Sequence, residues 1–243
     1  MKHQTISMHD DSGAEVTAQA PLIISASRAT DIPAFYADWF FRRLEKGYVR
    51  WRNPFSGQDS YVSFGNTRFI VFWSKNPAPL LPYLPMLKER GIGCYIHFTL
   101  NDYEAEGLET NVPPLSQRIE TFCRAVEVLG RGAVVWRFDP LILTDKINID
   151  TLLDKIAHIA NVLAGYTEKL VFSFADIESY KKVSRNLRQS CVDYREWDEQ
   201  TMREFASRLS AMNHDDRNFK LATCAERIDL SEYGICLLYT SPS

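Results

Sequence analysis

Residues 133–144 read AVVWRFDPLILT: an apolar run, Ala133 to Trp136, that passes into Arg137 and Asp139 and is stopped by Pro140. A run this short and apolar, closed by charge and proline, predicts a strand buried on both faces that delivers two polar side chains at its C-terminal end. Five other stretches share the construction. PLIISASRATD ends in Ser25, Ser27, Arg28 and Asp31; RFIVFWSKNP ends in Trp73, Lys75 and Asn76; CYIHFTLND ends in His97, Thr99, Asn101 and Asp102. KLVFSFAD ends in Ser173 and Asp176, and FKLATCAE in Thr223, Cys224 and Glu226. Six such strands place their polar ends on one rim of a parallel sheet or barrel, where α/β folds bind their ligands.

The stretches between them carry helical patterns. Pro33 opens a helix through Lys46 that buries Phe35, Trp39, Phe40 and Leu44, with Gly47 as its stop. A second helix buries Leu115, Ile119, Phe122, Cys123, Val126 and Leu129. A third, over residues 150–163, buries Leu152, Leu153, Ile156, Ile159 and Leu163. Residues 176–191 and 198–212 read as further helical returns, the latter packing through Met202, Phe205 and Leu209. Around NPFSGQD, Tyr48–Arg52 and Ser60–Phe64 predict an inserted β-hairpin near residues 48–64.

Strand–helix alternation argues α/β with right-handed crossovers. Six units are two short of a closed eight-fold barrel, so a partial six-stranded (β/α) TIM-like barrel is expected, with an open doubly wound sheet as the alternative. The polar stretch 1–20 predicts a flexible N-terminal tail, and residues 21–235 a single barrel-like domain.

Composition narrows the function. With 28 Lys plus Arg against 31 Asp plus Glu, the net charge of −3 exerts no global pull toward nucleic acid or acidic membrane. No apolar run approaches the roughly 18–20 residues that span a bilayer, and the start MKHQTISMHDD lacks the apolar core of a signal peptide, so a cytoplasmic protein is expected. The five cysteines, Cys94, Cys123, Cys191, Cys224 and Cys236, are scattered, which predicts reduced thiols and no metal site among them. P-loop, GxGxxG, HExxH and GxSxG motifs are absent.

Six rim residues are the candidates for chemistry: Arg28, Asp31, Lys75, Arg137, Asp139 and Glu226. Arg28 suits bidentate binding of a carboxylate or phosphate, and Asp31 either orients it or caps the following helix. Lys75 is either a solvated cation or, if desolvated, a base. Arg137 and Asp139 lie on one side of an extended strand, where they neutralise each other or contact a ligand. Glu226 is an acceptor for a ligand amine or hydroxyl; Cys224 is a possible nucleophile with no histidine near it in sequence. Ser27, Asn76, Thr99, Asn101, Ser173 and Asp176 form a candidate cofactor-binding set. His97 is either a satisfied core histidine or a rim catalyst. Arg50 and Arg52, with Trp51 and Phe55, offer a nucleic-acid grip by charge and stacking, which the even overall charge disfavours.

Taken together, ISASRATDIPAFY, the WF and RNPF segments, IVFWSKNP, FTLN, WRFDP and CAERIDLSEYGI resemble a family of bacterial and archaeal proteins described only as domain of unknown function 1848, over roughly residues 22–235. The resemblance implies a C-terminal cysteine cluster similar to the one that holds the [4Fe-4S] cluster of radical S-adenosylmethionine enzymes. Those enzymes also use a six-unit partial barrel. The final CLLYTSPS resembles adapter read-through rather than native sequence, so residues 236–243 are expected to be a non-native tail without regular structure. On this reading the chain is a truncated, cluster-free and inactive barrel portion of an iron–sulfur enzyme of unknown substrate. A cluster-free barrel enzyme acting on an anionic small molecule through Arg28, Lys75 and Arg137 is the alternative.

Overall fold

The computed structural model describes residues 4–27, 30–53, 56–177, 185, 192–216, 218–224, 226 and 228–238. Two compact units make up the chain, Met1–His97 and Phe98–Ser243. The fold is mixed α/β, with parallel strand pairing within each unit.

Unit one contains, in chain order, β1 (Thr5–His9), β2 (Glu15–Gln19), β3 (Ile23–Ser25), α1 (Ile32–Phe35), α2 (Ala37–Lys46), β4 (Tyr48–Arg52), β5 (Asp59–Ser63), β6 (Phe69–Ser74), α3 (Leu84–Glu89) and β7 (Gly93–Thr99), whose last two residues pass the unit boundary. Where the sequence predicts a flexible tail, β1 and β2 pair antiparallel from Thr5↔Gln19 to His9↔Glu15. The Asp10 carboxylate closes their turn by accepting the Ser12 and Ala14 N–H groups at 2.8 and 3.2 Å. β2 then runs parallel to β5, and β5 pairs antiparallel with β4 as the expected hairpin. Ala18 is the one fully buried residue of β1 and β2, too little apolar signal for the pattern to be read in advance.

The predicted helix 33–46 is two helices. Asp31 caps α1 through the Ala34 N–H at 3.0 Å, and the chain leaves helical geometry at Tyr36, φ −135°. That break resets the helical phase. The buried stripe of α2 becomes Ala37, Phe40, Phe41 and Leu44, spaced i, i+3, i+4, i+7, while Phe35 and Trp39 are 70% and 45% exposed, contrary to the expectation that both are core. Gly47, φ 86°, ends the helix in the left-handed conformation that glycine adopts without strain. Phe40 packs edge-on against Phe41, Phe64 and Phe72, each aromatic pair adding about 0.5–1.5 kcal/mol beyond its buried area. Gly93 is forced by packing, because a Cβ there would sit 2.4 Å from the Phe69 ring.

Unit two contains α4 (Leu115–Leu129), β8 (Val134–Leu141), β9 (Leu143–Thr144), α5 (Ile149–Leu163), β10 (Lys169–Phe174), β11 (Tyr194–Arg195), a final long helix, α6 (Glu199–Asp216), β12 (Lys220–Cys224) and β13 (Cys236–Leu238). Within it the strands β8, β10, β12 and β13 are neighbours in that order, each pair parallel. β13 is the correction to the expected irregular tail: residues 236–238 pair with Ala222–Cys224 as an edge strand, and 239–243 lie outside the described residues. Most of the predicted return 176–191 also lies outside them. The α4 stripe is Leu115, Arg118, Phe122, Ala125 and Val126, so Cys123, expected in the core, stands beside it and is partly exposed. The predicted α5 stripe is buried throughout.

Arg118 explains the rotation of α4. Its guanidinium is fully buried, donates to the Pro113 carbonyl at 2.9 Å, and meets Glu109 at 3.3 Å and Glu104 at 3.4 Å. Burying an arginine is tolerable only with such partners. Glu104 also accepts the Leu115 N–H, so a carboxylate from the preceding loop satisfies an orphan donor at the helix start.

Candidate functional site

Registers within unit two bring a row of side chains to one sheet face. Val171 lies opposite Arg137 on one side and Ala222 on the other. Alternation places Asp139, Ser173 and Cys224 two residues further on the same face, at the C-terminal ends of β8, β10 and β12. The opposite face is core: Trp136, Phe138, Leu170, Phe172 and Leu221 are buried, and Phe172 packs on Phe205 of α6.

Asp139 is the hub of that row. One carboxylate oxygen accepts from Arg137 Nε at 3.0 Å and also from its Nη2; the other accepts the Ser173 hydroxyl. Its backbone is held as firmly. Asn101 Oδ1 accepts the Asp139 N–H at 2.9 Å, and Asn101 Nδ2 donates to the Asp139 carbonyl at 3.2 Å. The Asp139–Pro140 peptide is cis, and the Tyr103 hydroxyl donates to the Pro140 carbonyl at 2.9 Å while accepting the Ile142 N–H at 3.1 Å. Arg137 is buried. Burial lowers its pKa, but the Asp139 charge and a hydrogen bond with Cys224 outweigh that and hold it above its ordinary value. Of the two sequence alternatives for Arg137 and Asp139, the geometry has mutual neutralisation.

Glu226 follows β12. The chain bulges between Phe172 and Phe174, and the Phe174 N–H donates to Glu226 Oε1 at 2.9 Å. Burial pushes this carboxyl above its ordinary value; the Phe174 N–H opposes the shift, and the charges of Asp139 and Asp176 add to it. Its position is therefore that of a carboxyl able to hold a proton nearer neutrality than a solvated glutamate.

In front of these groups lies a cleft of about 1050 Å³. Asp139, Ser173, Asp176, Cys224 and Glu226, all singled out in the sequence, line it together. Its far wall was not foreseen. β11 pairs antiparallel with β9, and the Trp197 indole donates to the Leu141 carbonyl at 3.0 Å, which brings Glu196, Trp197 and the first turn of α6 against the strand ends. The EWDE run at 196–199 was the available signal: acidic and aromatic residues massed at a helix start, with Asp198 capping through the Thr201 N–H at 2.7 Å.

The other candidates stand elsewhere. Thr99 ends β7, partly buried. Asn101 and Ser173 direct their polar atoms to Asp139. In unit one, Asp31 Oδ2 accepts the Ser74 hydroxyl at 2.9 Å and the Lys75 N–H at 3.1 Å while Oδ1 caps α1, so Asp31 ties the end of β6 to that helix. Asn76 Oδ1 accepts the Ala78 N–H at 3.4 Å. Ser27 has φ 83°, and its buried hydroxyl meets no hydrogen-bond partner among the described residues. His97 stacks on Trp73 with centroids 4.0 Å apart. Arg50 pairs with Asp59 at 2.6 Å, and Arg52 donates to the Gly57 carbonyl, which leaves the proposed nucleic-acid grip engaged with its own hairpin. Arg28, Phe55 and Cys191 lie outside the described residues.

Among the described residues, the donors do not fit an iron–sulfur cluster. Among the described residues no group of three His, Cys, Asp or Glu side chains could hold a metal ion. Cys94, Cys123, Cys224 and Cys236 occupy four separate elements, and burial pushes the Cys94 thiol up to about 12 and raises that of Cys123, the reverse of what thiolate ligation needs. Among the described residues no helix is long and apolar enough to cross a membrane.

No curated protein and no solved structure matches the chain. A family model does match it, over residues 23–237, and its span includes every strand of the cleft together with the Asp139 and Glu226 described above. The chain belongs to the family described as domain of unknown function 1848.

Proposed function

We propose that the chain is the site-bearing portion of an enzyme that acts on a small molecule in the cleft at the ends of β8, β10 and β12, with Glu226 as the proton-transfer group. The observation that carries this reading is Glu226 itself: a carboxyl at the cleft wall, half removed from water, held by the Phe174 N–H and raised by burial and by Asp139 and Asp176. Protonated, it donates to a leaving or developing anion; ionised, it accepts a proton from a ligand O–H or N–H. Arg137 and Asn101 act behind it by fixing Asp139, whose charge adds to the effect of burial on Glu226. A carboxyl NMR titration tests the assignment together with a thermal-shift screen of small molecules against the wild type and Glu226→Gln. Titration of Glu226 at or below the ordinary glutamate range, or stabilising compounds unaffected by the substitution, would sink it.

A second reading makes the chain the barrel portion of an iron–sulfur, S-adenosylmethionine-dependent radical enzyme. It is favoured by the parallel pairing of β8, β10, β12 and β13 and by the resemblance of the sequence. The described cysteines do not fit a cluster.

A further inference from the structure

We infer that Cys224 is the nucleophile of this cleft and works with Glu226 on an electrophile with a polarised double bond, an α,β-unsaturated carbonyl compound; the inference rests on the proton-transfer role proposed for Glu226. The sequence sets no histidine near Cys224, but the fold gives the thiol other partners. Arg137 donates a hydrogen bond to its sulfur. Asp139 takes the Nε and Nη2 donors of that guanidinium. A guanidinium carries five N–H groups, so one side chain serves the carboxylate and the sulfur together. The thiolate is the form of cysteine that attacks, and a neighbouring cation attracts it. Thiol and acid are also anchored at one step of β10. Thr223 is in register with Phe172, which sets Cys224 beside Ser173. The N–H of the next residue, Phe174, donates to Glu226 Oε1 at 2.9 Å. Both side chains line the cleft, and none of Cys94, Cys123 and Cys236 does.

The step balances without an oxidant or reductant. The Cys224 sulfur forms a bond to the β-carbon, the C=C π pair shifts toward the carbonyl, and the Glu226 proton goes to the α-carbon. The proton released when the thiol ionised returns to Glu226 through solvent, so the sum is addition of S–H across the double bond. Phe174, Trp197 and Met202 give the cleft an apolar side for the hydrocarbon part of such a molecule, and its volume of about 1050 Å³ has room for one.

Two reagents of similar size separate the thiol from the acid. Acrylamide adds to a thiol and needs a proton at carbon; iodoacetamide alkylates it by losing iodide and needs none. The whole chain is treated with each at neutral pH, and the modification rate of every cysteine is read by peptide mass spectrometry, with the exposed Cys236 as internal reference. Cys224 is less exposed, yet it is expected to react about ten-fold or more faster than Cys236 with both reagents. In Glu226→Gln, confirmed as folded by circular dichroism, acrylamide addition to Cys224 is expected to slow about ten-fold or more, while alkylation by iodoacetamide stays within about two-fold of the wild type. Reaction of Cys224 no faster than that of Cys236 with either reagent overturns the inference and leaves the Glu226 reading to its own titration. Fast reaction of Cys224 that Glu226→Gln slows with neither reagent overturns the pairing and counts against Glu226 as the proton-transfer group.

Discussion

Asn101 holds Asp139 by both of its backbone polar atoms, accepting its N–H at 2.9 Å and donating to its carbonyl at 3.2 Å. One side-chain amide at the end of β7 thus substitutes for two ladder hydrogen bonds where β8 turns through its cis peptide toward the cleft. The Asp139 carboxylate is consequently aimed from both ends, by its own backbone and by Arg137 and Ser173.

Replacing Asn101 with Ala leaves a buried donor and a buried acceptor without partners, a loss of about 2–4 kcal/mol. Urea unfolding of the variant measures it. Asn101→Asp retains the acceptor for the Asp139 N–H but turns an oxygen toward the Asp139 carbonyl, so it should be nearly as damaging. A cost of a few tenths of a kcal/mol for either would mean that water replaces the amide and that the clamp does not position Asp139.

Arg118→Met should destabilise the chain by about 3–5 kcal/mol, because it strands Glu109 in the core without its cation. The double variant Arg118→Met, Glu109→Gln should recover part of that loss. Chemical denaturation of the three proteins checks the cycle; additive losses would show that the two side chains do not act as a pair.

Glu226→Gln tests the sign of the local electrostatics. The folded-state pKa of Glu226 lies above its ordinary value of 4.5, so the stability its protonated form contributes is fully present below 4.5 and is lost as pH rises through the folded value. Gln cannot ionise and still offers an oxygen to the Phe174 N–H. The variant should therefore melt higher than the wild type at pH 7, with the gap closing toward pH 4. A gap that is constant across this range, or reversed, would contradict the raised pKa.

Anaerobic reconstitution of the chain with iron and sulfide should yield no stable [4Fe-4S] cluster, since its described thiols stand on separate elements. Absorption in the sulfur-to-iron charge-transfer region and iron content per chain are the measurements. A stoichiometric cluster that disappears in Cys224→Ser would place a metal site at the end of β12.

Much of the architecture was legible because it depends on local pattern. The six apolar runs closed by polar residues became β3, β6, β7, β8, β10 and β12, and the alternating stretches around NPFSGQD became the β4–β5 hairpin. The α5 stripe was readable because nothing interrupts its period. The helix around Phe35 was misread because a single non-helical residue, Tyr36, shifts the phase of everything after it, and periodicity counted across the break assigns the wrong side chains to the core. β1, β2 and β13 were missed because they are short strands with few buried apolar residues, formed by pairing rather than by their own composition.

The sequence by itself determined which residues stand at strand ends, since alternation along an extended chain fixes that Arg137 and Asp139 share a side. It could not determine what those residues face. Arg137 reads as a hand held out to an anion until parallel pairing sets β10 between β8 and β12, so that Ser173 bonds Asp139 and Cys224 bonds Arg137 and the guanidinium is turned to its own neighbours. Glu196 and Trp197 join the site only because β11 pairs with β9 and the Trp197 indole finds the Leu141 carbonyl. Charge at a site is the sum over neighbours distant in sequence, and only tertiary structure chooses those neighbours.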